Sequence, residues 1–173
     1  YNASSRHLAL KILVAQWAEK AGIEGSVSEP RDFASFICPD SKKQIFQDEF
    51  LAHTRTCPVC DMKKLPHASG PDARFKFPNQ SSLVVDYSFL SMANKTHRNM
   101  SPIDAYDKRT GEKIQLYGAA VERKGETLTV FSVSASGALS PQAAGLCRVF
   151  ESVSNHKIDK SDMRHSIQRS TAM

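Results

Sequence analysis

The feature that most constrains this chain is a histidine followed by two cysteines at fixed spacing. His53 precedes Cys57 by four residues, and Cys57 and Cys60 form a C-x-x-C, with Cys38 upstream. Zinc takes four tetrahedral ligands in structural sites and prefers thiolate sulfur and imidazole nitrogen. The spacing therefore predicts a zinc ion held by Cys38, His53, Cys57 and Cys60. Four protein ligands leave no open position, so the predicted role of the ion is structural.

The segment between Cys38 and Cys57 is predicted to be helical. Pro39-Asp40-Ser41 is typical of a helix start, and a helix over residues 42–54 places Phe46, Phe50 and His53 on one face. His67 is an alternative ligand, since it lies in the loop after Cys60 and is able to replace Cys38 or His53. Cys38 is preferred because thiolate binds zinc strongly.

The stretch from Glu49 to Cys60 resembles the helix-borne H-x-x-x-C-x-x-C motif of zinc-containing anti-sigma factors, with His53, Cys57 and Cys60 as the matching residues. In that family the motif lies in a small helical domain that clamps a transcription factor. The resemblance implies an alternative function, namely a protein-interaction regulator that docks through the zinc-bearing helix pair.

A third hypothesis is thiol redox chemistry. Cys57-Pro58-Val59-Cys60 also looks like the active site of glutaredoxin-type oxidoreductases. That chemistry needs a strand before the motif and a helix after it, because the helix dipole lowers the pKa of the first thiol. The residues before Cys57 are predicted to be helical instead, and Pro66 leaves little room for a following helix.

Basic residues are interleaved with aromatic ones in the middle of the chain, which has 173 residues and a formal net charge of +5. Lysine and arginine neutralise phosphates, and rings such as Phe75, Phe77 and Tyr106 can stack on bases. The leading hypothesis is thus a zinc-stabilised protein that binds nucleic acid, DNA or RNA, or belongs to a nucleoprotein complex. The predicted contact residues are Lys63, Lys64, Arg74, Lys76, Lys95 and Arg98.

The predicted fold is α+β, with a helical zinc module, a small antiparallel sheet and a C-terminal helix. Residues 1–70 form the zinc module, 71–154 a small α+β module and 155–173 a basic, mobile tail. A first helix runs to about Ala21, and 83–90 is a strand. Residues 114–122 and 127–134 are predicted to pair as a hairpin turning at Gly125, while 92–110 is mostly loop. Ser140-Pro141 opens the last helix, whose buried stripe is Leu146, Val149, Phe150 and Val153.

Cysteine usage favours a reducing intracellular compartment, such as the cytoplasm, nucleoid or nucleus. No apolar stretch has the length of a membrane span, so no membrane association is predicted. The sequence contains no phosphate-binding glycine loop, nucleophile elbow or paired-histidine helix motif. No catalytic residue and no small-molecule substrate are therefore predicted.

Overall fold

The computed structural model describes residues 3–26, 30–33, 35–60, 70–78, 80–155 and 158–172. In chain order the elements are α1 (Ala3–Lys20), β1 (Glu24–Ser26), a 3-10 turn (Arg31–Phe33), β2 (Ser35–Ile37), β3 (Gln44–Phe46), α2 (Phe50–Thr54), β4 (Ala73–Lys76), β5 (Leu83–Leu90), α3 (Pro102–Lys113), a π-helical segment (Ile114–Gly118), α4 (Ala119–Arg123), β6 (Thr127–Ser134), α5 (Pro141–Val153) and α6 (Lys160–Ala172).

Four of the strands form one mixed sheet in the order β1-β4-β5-β6. β4 lies antiparallel to both β1 and β5, whereas β5 and β6 run parallel over their whole length. Parallel neighbours need a crossover connection, which α3, the π-helical segment and α4 supply. β2 and β3 form a separate antiparallel hairpin between β1 and β4 in the chain.

Apolar side chains cover both faces of this sheet. On one face α1, α5 and α6 pack over Phe75, Tyr87 and Phe131, and this cluster is the larger of the two. On the other face the crossover packs through Tyr117 over Val84. The alternation along β5 explains the division, because successive side chains of a strand point to opposite faces.

Several predicted elements are confirmed. β5 and β6 have the predicted bounds, and α1 ends within one residue of the predicted end. Ser140 caps α5 as predicted, accepting a hydrogen bond from the Ala143 N–H. The predicted stripe of α5 is only half right, since Val149 and Val153 are exposed. No helix within the described ranges is both long and apolar enough to cross a membrane.

The predicted hairpin of residues 114–122 with 127–134 is wrong. Residues 114–123 are helical, and they continue the helix that starts at Pro102, inside the predicted loop. The spacing of Tyr117, Ala120 and Val121, which are all buried, is helical rather than alternating. The sheet is consequently mixed and not antiparallel.

The predicted helix over residues 42–54 is also wrong in its first half. The Cys38 N–H donates to the Lys43 carbonyl and the Lys42 N–H donates to the Cys38 carbonyl, both over 2.9 Å. These bonds close the β2–β3 turn, with Lys42 in the left-handed region at φ 56°. Only α2 remains of the predicted helix.

The basic tail predicted for residues 155–173 contains helix α6. Met163 and Ile167 of α6 are fully buried in the cluster that includes α1. Their four-residue spacing puts both on one helix face, and two buried side chains outweigh the polar character of the rest of the helix.

Candidate functional sites

The four predicted zinc ligands lie together. One ligand atom from each of Cys38, His53, Cys57 and Cys60 falls within 4.8 Å of all the others. The Cys38 sulfur is 3.7 Å from that of Cys57 and 3.6 Å from that of Cys60. These separations are far longer than the ~2.05 Å of a disulfide, and the cysteines are free. The group is therefore able to hold a metal ion.

Three short elements bring these ligands together. Cys38 sits at the start of the β2–β3 turn, where the Ser41 N–H donates to its sulfur over 3.4 Å. His53 lies in the last turn of α2. Its carbonyl accepts a hydrogen bond from the Cys57 N–H over 2.9 Å, so the chain turns back at the helix end. The histidine and the C-x-x-C thus approach Cys38 from one side.

The surroundings of the thiols separate their acidities. Hydrogen bonds from the side chain and the backbone of Ser41 lower the pKa of Cys38 to about 6, against the effect of burial. Burial and the neighbouring sulfurs of Cys38 and Cys57 raise the pKa of Cys60 to about 12. Three sulfurs this close cannot all ionise in the absence of a cation, since like charges disfavour one another.

The imidazole of His53 supplies an independent test of fit. Its Nε2 atom is buried, yet it has no hydrogen-bond partner among the described residues. A buried polar atom normally has a partner, because leaving it unpaired costs free energy. A metal ion at the centre of the three sulfurs would satisfy this atom. The alternative ligand His67 lies outside the described residues.

The predicted nucleic-acid contacts fall into three groups. Lys63 and Lys64 lie outside the described residues. Arg74 forms ion pairs with Asp32 and Glu126, so its guanidinium stabilises contacts within the fold. The remaining three predicted residues are exposed: Lys76 near the end of β4, and Lys95 and Arg98 in the turn-rich segment after β5.

A second group of polar residues, which the sequence analysis missed, lies where β4 diverges from β5. Asp72 directly precedes β4, and its carboxylate is only 7% exposed. It accepts hydrogen bonds from the Tyr87 N–H at 2.7 Å, from Lys11 Nζ at 3.1 Å and from His7 Nε2 at 3.0 Å. Two of these donors come from α1, which therefore brings positive charge to the edge of β5.

Asp86 is the second buried carboxylate of this group. The β4–β5 ladder ends at the pair Ala73–Val85, so Asp72 lies just beyond this last pair and Asp86 is the next residue of β5. Asp86 Oδ1 pairs with Lys113 Nζ of α3 at 2.9 Å, while Oδ2 is buried with no partner among the described residues. We call Asp72, Asp86, Lys11, Lys113 and His7 the acidic centre.

The two carboxylates of the acidic centre have opposite pKa shifts. Burial raises the pKa of Asp86, with Lys113 opposing the effect and the charge of Asp72 adding to it. Burial acts in the same direction on Asp72, but hydrogen bonds from His7 and Tyr87 hold its pKa below the usual value. Two neighbouring carboxyl groups whose environments separate their pKa values are a frequent feature of catalytic sites.

One sequence signal points to this centre. Asp86 stands in the apolar run Leu83-Val84-Val85-Asp86-Tyr87, inside a correctly predicted strand. A charged residue in a strand that is buried on both faces needs a partner or a function. The partner Lys113 was not recognisable, because its segment was predicted to be at the edge of a strand rather than at the end of a helix.

No protein-family model matches the chain. A search of curated proteins finds no significant relative.

Proposed function

We propose that this chain is a nucleic-acid-binding protein in which a structural zinc ion, held by Cys38, His53, Cys57 and Cys60, orders the β2–β3 hairpin and α2. The observation that carries the zinc proposal is the spacing of the sulfurs. A zinc–sulfur bond of ~2.3 Å in a tetrahedron gives sulfurs about 3.8 Å apart. The separations of 3.6 and 3.7 Å agree with that geometry.

The order of elements around this centre also supports a structural zinc. A β-hairpin followed by a short helix is the arrangement of small zinc fingers, in which the metal contributes most of the folding free energy. Helix α2 precedes the C-x-x-C where a thiol oxidoreductase needs a strand. The geometry thus favours a bound metal over redox cycling of Cys57 and Cys60.

Metal analysis of the purified protein tests the zinc proposal. We expect one equivalent of zinc in the wild type and in Cys147→Ala, whose cysteine lies in α5, outside the centre. Cys57→Ser should lose the metal. A wild-type protein that is free of metal and still protects its Cys57 and Cys60 thiols from a thiol reagent would contradict the proposal.

Charge supports nucleic acid as the partner. The net charge is +5, and Lys76, Lys95 and Arg98 are exposed. Binding driven by phosphate contacts weakens as salt rises, with a slope in log–log form of about −0.9 per contact on duplex DNA. A hydrophobic docking surface for a protein, as in the anti-sigma alternative, responds far less to salt.

Fluorescence anisotropy with labelled duplex and single-stranded oligonucleotides at several salt concentrations tests this partner. The double variant Lys95→Ala/Arg98→Ala should weaken binding and reduce the salt slope by about 2. Lys20→Ala, at the exposed end of α1, is the matched control and should leave the slope unchanged. Binding that is absent, or independent of salt, would leave the protein-docking alternative in its place.

The acidic centre supports a second candidate function, the hydrolysis of phosphodiester bonds with a divalent cation. The observation that favours it is the pair of buried carboxylates, Asp72 and Asp86, flanked by Lys11 and Lys113. Mg²⁺ is typically bound through one or two carboxylates together with water and substrate phosphates. The unpaired Oδ2 of Asp86 is an oxygen donor of the required type.

The residues of the acidic centre would have different roles in such a reaction. Asp72 and Asp86 would hold the cation, which supplies Lewis-acid stabilisation of phosphate charge when bound. Lys113 Nζ would stabilise negative charge that develops on the phosphate, because a positioned ammonium group is worth far more in a buried site than in water. His7, which is hydrogen-bonded to Asp72, would hold that carboxylate in place.

A cleavage assay on supercoiled plasmid and on labelled oligonucleotides tests the second function. Wild-type protein with Mg²⁺ or Mn²⁺ should nick the substrate, and chelation of the added cation should stop it. Asp86→Asn should lose activity by at least about 100-fold, whereas Asp162→Asn, an exposed carboxylate on α6, should be unchanged. Equal activity in both variants would point to a contaminating nuclease and remove the proposal.

A further inference from the structure

A long-range side-chain hydrogen bond joins the hairpin that carries Cys38 to the crossover. The Gln44 amide nitrogen, in β3, donates to the Leu116 carbonyl at 2.8 Å. The same nitrogen lies 2.8 Å from Ser35 Oγ across the hairpin. An amide nitrogen has two hydrogens, so Gln44 can make both bonds at once and connects two strands of the hairpin to a helix remote in sequence.

Leu116 belongs to the π-helical segment Ile114–Gly118. Such segments interrupt a helix at a cost and are frequent at functional sites. Lys113 is the last residue before the segment, and its ammonium group lies 5.5 Å from the centroid of the Tyr117 ring inside it. Lys113 thus lies at the junction of α3 with the π-helical segment, and its ammonium group contacts a ring of that segment.

The same face of the hairpin packs against the following helix. Phe46 of β3 belongs to the buried cluster of Tyr117 and Val121. The Arg123 guanidinium lies 5.1 Å from the centroid of the Phe46 ring and pairs with Glu49 at 3.4 Å. These contacts fix the hairpin beside the crossover, and Gln44 is the contact that reaches its backbone at the π-helical segment.

We propose that Gln44 is a positioning residue that holds the π-helical segment so that Lys113 lies against Asp86. The hairpin beside the Cys-His group thereby sets the geometry of the acidic centre. This inference rests on the second proposed function, because it assigns Lys113 a part in that reaction. It also has a structural consequence that can be measured without any reaction.

The test compares Gln44→Glu with wild type. Glutamate keeps the size of the side chain and removes the donor, and its charge is repelled by the Leu116 carbonyl oxygen. The first measurement is the ¹H–¹⁵N signal of the Lys113 ammonium group, assigned by its absence in Lys113→Arg. We expect this signal to shift or broaden in Gln44→Glu and to stay in place in Lys43→Ala, an exposed neighbour in the same hairpin.

The second measurement is the cleavage rate. Gln44→Glu should lower kcat by about 10- to 100-fold with KM little changed, because misplacing a reacting group affects the chemical step. Ser35→Ala removes only the other acceptor of Gln44 and should keep kcat within about twofold, since the bond to Leu116 remains. If Gln44→Glu fails to fold, Gln44→Met, which lacks both donor and charge, replaces it.

The two measurements distinguish failure of the inference from failure of the proposed function. An unchanged Lys113 signal in a folded Gln44 variant overturns the positioning role, whatever the cleavage assay gives. A shifted signal with the expected fall in kcat supports it. A shifted signal in a protein whose wild type cleaves nothing supports the structural link and counts against the hydrolytic function alone.

Discussion

The two centres of this molecule differ in what holds them together. The Cys-His group rests on a two-stranded hairpin, a five-residue helix and a small apolar cluster of Cys38, Ile45 and Cys57 with Phe36 and Cys60 against it. The acidic centre lies on a four-stranded sheet that is covered on both faces. Small apolar clusters bury little surface, so the proposed zinc ion would order the first centre, whereas the core forms the second.

The electrostatic design of the two centres differs in the same way. In the Cys-His group three sulfurs and an imidazole face one another, and ionisation of all three thiols there requires a cation. In the acidic centre Lys11 and Lys113 already balance Asp72 and Asp86. Removing a metal should therefore disturb the first centre alone, while removing a side chain should disturb the second.

Removal of zinc is expected to have the largest effect and tests this comparison directly. Structural zinc contributes roughly 10 kcal/mol to the folding of small modules. Chelation, or Cys57→Ser, should unfold residues around β2, β3 and α2 while the sheet remains folded. Hydrogen exchange measured by mass spectrometry would show loss of protection in residues 35–60 and retained protection in β5 and β6. Loss of protection throughout would mean that the hairpin and the sheet fold as one unit.

The reverse experiment removes a core side chain from the sheet on which the acidic centre lies. Phe131 of β6 is fully buried in the larger apolar cluster, so Phe131→Ala should lower the free energy of unfolding by about 3–5 kcal/mol. Ile103→Ala, whose side chain is 62% exposed, should change it by less than about 0.5 kcal/mol. Urea denaturation followed by circular dichroism measures both. Equal effects of the two substitutions would mean that packing in the sheet core does not stabilise the region around the acidic centre.

The same difference explains which centre could be predicted from the sequence. His53, Cys57 and Cys60 are of rare types and close in the chain, so their spacing alone indicates a shared ligand. Asp72 and Lys11 lie 61 residues apart and are of common types, so only the pairing of β4 with β5 and the packing of α1 bring them together. Sequence reasoning cannot supply that information without the correct topology.

The predicted topology is wrong at one segment, residues 114–122, and this error changes the connection between β5 and β6. Residues 114–122 contain Ile114, Leu116 and Tyr117, which satisfy an alternating pattern over a short window as well as a helical one. Predicting a strand there replaced the crossover by a hairpin and moved Lys113 away from Asp86. The strands themselves, at 83–90 and 127–134, were predicted correctly because their apolar runs are longer and richer in branched residues.

Breaking the Lys113–Asp86 pair probes the acidic centre at its most buried point. Asp86 is 2% exposed, so Lys113→Met should cost about 3 kcal/mol by leaving a buried carboxylate unpaired. The double variant Lys113→Met/Asp86→Asn should recover most of that loss, since neither charge remains. A double-mutant cycle from urea denaturation near pH 8 gives the coupling energy. A coupling near zero would mean that the pair does not form in solution.

A smaller effect is expected at the junction between the two regions. Arg74 in β4 pairs with Asp32 in the 3-10 turn before the hairpin and with Glu126 before β6, and its guanidinium lies over the Phe33 ring. The three charged side chains are partly exposed, so Arg74→Met should cost about 1 kcal/mol and less at high salt. Arg148→Met, on an exposed position of α5, is the control. A loss that is unaffected by salt would show that packing on Phe33, rather than charge, joins the regions.

The smallest predicted effect concerns His7 and depends on pH. The hydrogen bond to Asp72 raises the pKa of His7, with burial opposing it. A raised pKa in the folded state means that the pair stabilises the protein fully below the unfolded value of about 6.5 and that this contribution is lost as pH rises through the folded value. Asp72 stays ionised between pH 6 and pH 9 because its own pKa is lowered. His7→Gln should therefore cost about 0.5 kcal/mol near pH 6 and less near pH 9. His165→Gln, exposed on α6, should show no such difference between the two pH values. An equal cost of His7→Gln at both would mean that His7 acts through its size and not its charge, which would leave Lys11 as the cation that α1 contributes to Asp72.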